Sequence, residues 1–101
     1  MRFEWDENKR VTNLEKHGLD FLDTPKIFED PVVTIRDNRF DYHEDRFFTL
    51  GMLFGRIVAL SHTERNEGIR VISLRKANKN EQERYITEIA NRLGENWRHD
   101  G

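Results

Sequence analysis

The second half of the chain is built from short apolar runs set off by turn residues. "RFFTLGM" (46–52), "RIVALSHTE" (56–64) and "IRVISLR" (69–75) are rich in β-branched and aromatic residues. The short connections "LFG" and "NEG" between them predict an antiparallel meander. The glycines of "GMLFG" (51–55) read as turn residues. Residues 32–36 add a strand, and "DNRFDYHED" (37–45) reads as a polar loop. "FEW" (3–5) is an opening strand.

Helical spacing appears in three places. Asp6 suits the N-cap of a helix over about 7–16, with Val11, Leu14 and His17 as a thin apolar face and Gly18 as its stop. Asp20 can cap a short helix over about 21–29, its core side being Phe21, Leu22, Ile27 and Phe28. Pro25 fits there only in the first turn, with Thr24 as the alternative cap. Asn78 and Glu81 form a capping box for a last helix, whose stripe is Gln82, Ile86, Ile89 and Leu93. Gly94 is expected to end it. The resulting order is βααββββα, an α+β class with one antiparallel sheet. Two N-terminal helices are expected on a sheet face, and the C-terminal helix on the sheet or on a partner. Residues 1–93 read as a single domain and 94–101 as a flexible C-terminal tail.

The chain has 101 residues, enough for one hydrophobic core. A charged fraction of 36% would suit disorder, but seven Phe and two Trp argue for a folded domain. Cysteine is absent, which removes disulfides and thiolate metal sites. No apolar run approaches a membrane span, and "MRFEWDENKR" has no apolar signal core, so a cytoplasmic protein is expected. The net charge of −2 hides an asymmetry. Residues 1–55 carry 8 Lys and Arg against 12 Asp and Glu; residues 56–101 carry 9 against 7. The basic surplus falls around the hairpin of the later strands.

The histidines His17, His43, His62 and His99 show no metal-ligand spacing, and neither a phosphate-binding glycine loop nor a nucleophile elbow is present. Neither metal nor cofactor is expected. What remains is a set of His, Arg, Lys, Glu and Tyr side chains, which is what metal-free RNA cleavage needs. The ribose 2′-OH must lose a proton, the phosphorane needs donors, and the leaving 5′-oxygen needs a proton. Imidazole suits the proton transfers and guanidinium the phosphorane. Each candidate also has a bland reading. His62 can be a buried strand histidine, Arg65 an exposed turn residue, and Arg75 and Lys76 solvated strand ends. Arg70 can pair with Glu64 across the hairpin. Tyr85 can pack in the core, and Lys9, Lys16 and His17 can form a solvated helix face.

The ordered series "FEWDENKRVTNLEKHGLDF", "IFEDP", "EDRFFTLG", "RIVALSHTER" and "IRVISLRKAN" resembles BrnT-type toxins over about residues 3–90. The resemblance implies a RelE-like fold and a type II toxin–antitoxin system, with a toxin that cleaves RNA and arrests growth. It implies a BrnA-type antitoxin with a ribbon-helix-helix DNA-binding part, DNA being contacted only through that antitoxin. Carried over by position, His62 would transfer protons, with Glu44 as the alternative base. Arg65 and Arg75 would stabilise the phosphorane, and Tyr85 would position the substrate. Lys9, His17, Arg46, Arg70 and Lys76 would contact substrate phosphates. Pro25 departs from the family's usual helix-favouring residue. Two other classes stay open: a non-catalytic nucleic-acid-binding module, and a structural protein whose sheet edge docks another chain.

Overall fold

The structure, a computed structural model, describes residues 1–38 and 44–99, with side chains described through residue 94. Residues 39–43 of the expected 37–45 loop lie outside the described residues. The chain forms β1 (Arg2–Glu4), α1 (Glu7–His17), a 3-10 turn (Phe21–Asp23) and α2 (Thr24–Ile27). It continues through β2 (Val33–Arg36), β3 (Arg46–Leu53), β4 (Arg56–Arg65), β5 (Gly68–Lys76) and α3 (Lys79–His99). The five strands form one sheet in the order β1-β5-β4-β3-β2.

The α+β class holds, and so does the β3–β4–β5 meander. The sheet, however, is mixed rather than antiparallel, because β1 runs parallel to β5. The cause is local to Gly68. A Cβ there would stand 1.9 Å from the Arg2 carbonyl oxygen, so only glycine lets β1 close onto this edge. Gly51 is also not a turn residue. It lies inside β3, where a Cβ would meet Ile27 Cγ2 at 2.6 Å, and its bare backbone seats α2 against the sheet. The β3–β4 turn is Phe54–Gly55, both with positive φ.

The helices follow their caps more closely than their apolar patterns. Asp6 accepts from the Asn8 and Lys9 N–H groups, and Gly18 ends α1 in the left-handed region. Val11 and Leu14, the expected apolar face, are exposed; the buried residue of α1 is Asn13. Asn13 donates to the carbonyls of Leu19 (3.0 Å) and Leu74 (2.8 Å) and accepts from the Leu74 N–H (3.1 Å). A side-chain amide thus takes the place of a neighbouring strand on the β5 edge. The expected second helix is a 3-10 turn followed by four helical residues, since Pro25 allows a helix only where it sits in the first turn. Thr24 is buried inside that helix and is not its cap.

The Asn78–Glu81 capping box forms, at 2.8 and 2.9 Å. The packed side of α3 is Tyr85 and Ile89, while Ile86 and Leu93 of the expected stripe are exposed. The helix also continues through Gly94 to His99. Among the described residues no helix is long and apolar enough to cross a membrane.

The core has two layers. Leu19, Phe21 and Ile27 pack against Leu53, Val58, Leu60, Val71 and Leu74 on one sheet face, the helical face of α1 and α2. On the other face Tyr85 and Ile89 pack with Val33, Leu50 and Ala59. Alternation along β4 separates the two sets: Val58 and Leu60 face one way, Ala59 the other. In α3, Tyr85 donates to the Pro31 carbonyl (2.8 Å) and Arg92 to the Val32 carbonyl (2.9 Å). The helix therefore crosses toward the start of β2, and among the described residues no helix lies over the opposite end of that face.

Candidate nucleic-acid interface

Register decides which side chains share the end that α3 does not cross. Glu4 pairs with Arg70, Arg70 with Thr63, and Thr63 with Arg46, giving one row across β1, β5, β4 and β3. Arg46 and Arg70 stand two strand spacings apart, about 10 Å. The next row on the same face holds Phe48, Ser61 and Ser73. Arg65 follows Thr63 by two residues on β4 and belongs to the same side.

Carboxylates hold these arginines in place. Arg65 donates to Glu44 (3.1 Å) and lies 3.7 Å from Glu4, and Arg70 lies 4.0 Å from the same Glu4 oxygen. All four groups are about a third to a half exposed, so the pairs are weak, under about 1 kcal/mol each, and open to exchange for a phosphate. Arg70 pairs with Glu4 rather than with the expected Glu64, because the parallel β1 brings Glu4 opposite it. Thr63 is buried between the two arginines of its row, and its hydroxyl has no hydrogen-bond partner among the described residues.

His62 is not part of this cluster. It is one residue from Thr63, so it points to the opposite face, where it is 4% exposed. Its Nε2 meets the Thr49 hydroxyl at 2.8 Å, and Thr49 meets Thr34 at 2.9 Å. Its ring stacks on Phe47. Burial pushes its pKa down to about 4, so the imidazole is neutral at pH 7. The expected proton-transfer group therefore sits in the core, walled off by the sheet from Arg65.

Arg75 shares the basic face but lies five residues along β5 from Arg70, about 16 Å away. It makes a bidentate pair with Glu81 (2.7 and 2.9 Å), which fastens the start of α3 to the sheet. Tyr85, expected to position substrate, is buried and bonded to Pro31, and burial raises its pKa. Lys76 is at the far end of β5, beside Arg56 and the β3–β4 turn. Lys9 and His17 line a groove between α1 and β5 that also includes Ser73.

Of the sequence candidates, then, the fold gathers Glu44, Arg46, Arg65 and Arg70, and places Lys9 and His17 in the separate groove at the β5 edge. His62, Arg75, Tyr85 and Lys76 stand elsewhere. Glu4 and Thr63 were missed. Glu4 had no readable signal, since its role depends on the parallel β1–β5 pairing; Thr63 was legible only as a strand position between His62 and Glu64. Among the described residues no three His, Asp or Glu side chains group as a metal site.

A family model for the ribonuclease toxin BrnT of type II toxin–antitoxin systems matches residues 5–81. No curated protein matches the chain.

Proposed function

Because the chain belongs to the BrnT family of ribonuclease toxins of type II toxin–antitoxin systems, we propose that the end of the sheet face that α3 does not cross is where it cuts RNA. The supporting observation is the row Arg70–Thr63–Arg46 with Arg65 and Glu44 at its end. In this reading the scissile phosphate displaces the carboxylates and lies on Arg65, Arg70 and Arg46. Glu44, released from Arg65, takes the 2′-OH proton. The 2′-oxygen bonds to phosphorus, the bond to the 5′-oxygen breaks, the departing oxygen takes a proton from water, and the hydroxide left takes the proton held by Glu44. The products are a 2′,3′-cyclic phosphate and a 5′-hydroxyl.

Guanidinium groups supply the positive charge that the phosphorane needs, so the step is proposed to run without metal. The partner is an antitoxin protein, as the type II family implies. We take it to be BrnA-type, with a ribbon-helix-helix part that alone contacts operator DNA, and the site of action to be the cytoplasm.

The test is cleavage of single-stranded RNA by the purified protein in EDTA, with product ends identified. Loss of cleavage in Arg65→Ala combined with Arg70→Ala is expected. Wild-type cleavage by that double variant overturns the site. RNA bound tightly but left uncut by the unmodified protein makes the face a binding surface only.

A further inference from the structure

β1 stops at Glu4, so among the described residues no strand lies beside the β5 edge beyond Arg70. Asn13 closes that edge at Leu74. Between those two points, at a β-bulge where the β4–β5 register slips after Ser61, Ile72 and Ser73 form one wall of a groove of about 290 Å³. The other wall is α1, whose Lys9, Thr12, Lys16 and His17 line it. Helical spacing explains the set: these positions fall on one side of α1, the side that Asn13 anchors to β5.

Four features of the groove point to a ligand. Its ionisable lining groups are Lys9, Lys16 and His17, with no carboxylate among them. Lys9 and Lys16 are two turns apart, about 10 Å along the helix, so they reach different points of a bound strand. The volume lies just under that of ordinary ligand pockets, which run from about 300 Å³ upward, so the groove has room for no more than one nucleotide-sized group. Ser73 joins the groove to the sheet face, because it pairs with Ser61 in the row next to Arg70 and Thr63.

We propose that this groove holds one nucleotide of the RNA strand flanking the scissile link, with Lys9 and Lys16 on its phosphates and Ile72 against its base. The inference rests on the sheet-face reading for the position of the scissile link. It differs in predicting affinity from residues outside the cleaving cluster.

A fluorescent 2′-O-methyl single strand, which lacks the attacking hydroxyl and so stays uncut, is the probe. Binding is followed by anisotropy at several salt concentrations. Lys9→Gln with Lys16→Gln should weaken binding about tenfold or more. It should also lower the salt slope by about 1.4, at roughly 0.7 per phosphate contact on a single strand. Thr12→Trp fills the groove with every cation retained; it should weaken binding by a similar factor while keeping most of the slope. Lys26→Gln with Lys79→Gln, equal in charge change but remote from the groove, should leave both unchanged.

Wild-type binding by the two groove variants overturns the proposal, as does an equal loss in the remote pair. Adenosine monophosphate that binds through Lys9 and Lys16 while the oligonucleotide ignores them also overturns it, by making the groove a free-nucleotide site. Because the probe cannot be cut, failure of the cleavage test at Arg65 and Arg70 leaves this result standing.

Discussion

Protonating His62 should destabilise this protein, and replacing it should remove that sensitivity. The imidazole is 4% exposed, its Nδ1 has no partner among the described residues, and its Nε2 faces the neutral Thr49 hydroxyl. Burial strips a charge there of its water, which is why its folded pKa falls to about 4, and no carboxylate among the described residues is bonded to the ring. The unfolded value is about 6.5. The folded pKa is the lower one, so the stabilisation is fully present above about pH 6.5 and is lost as pH falls toward 4. At pH 5 the unfolded chain is about 97% protonated at this site and the native state about 9%. The loss between pH 7 and pH 5 is therefore about 2 kcal/mol, tending to roughly 3 kcal/mol below pH 4.

Urea unfolding of the wild type and of His62→Gln at both pH values measures this. Glutamine keeps a donor and an acceptor for Thr49 and has no proton to gain. Its cost at pH 7 should be about 1–2 kcal/mol. The gap between the two proteins should then close by about 2 kcal/mol at pH 5, roughly 1 M in urea midpoint. Acid effects from carboxylates held down by hydrogen bonds, such as Asp20 and Glu7, are common to both proteins and cancel. A gap that stays constant from pH 7 to 5 refutes the buried neutral imidazole. Retained RNA cleavage by folded His62→Gln is the companion expectation; its loss without destabilisation returns His62 to the chemistry.

Asn13→Ala should destabilise the fold by about 3–5 kcal/mol in urea unfolding, since it strands the Leu74 N–H and the carbonyls of Leu74 and Leu19 together. Gly68→Ala should cost several kcal/mol or detach β1, read as loss of amide-exchange protection in residues 2–4, because the new methyl collides with Arg2. Arg70→Ala should slow RNA cleavage about 10²–10³-fold with little change in urea midpoint, since its ion pair with Glu4 is exposed. Arg75→Ala should behave oppositely, lowering stability by about 2 kcal/mol through loss of the bidentate pair with Glu81 while leaving much of the cleavage rate.

How much was legible follows from the range of each interaction. Caps are local, so Asp6, Gly18 and the Asn78–Glu81 box could be read from a few neighbouring residues. The meander strands could be read for the same reason, and so could the family, which is an ordered series of such local patterns. The apolar faces of the helices were harder. Asn13 reads as a polar helix residue, yet it is the one that α1 buries, because the partner it satisfies is 61 residues away.

Sequence alone determined the α+β class, the helix caps, the strand positions and the excess of cations around the later strands. Tertiary structure decided which of those cations meet. Side chains alternate along a strand, so the single-residue step from Thr63 to His62 carries the imidazole through the sheet into the core. The parallel pairing of β1, permitted by Gly68, brings Glu4 to Arg65 and Arg70 from the far end of the chain. Neither the facing of a strand nor the identity of its neighbours is written in local spacing; both are settled only when the sheet closes.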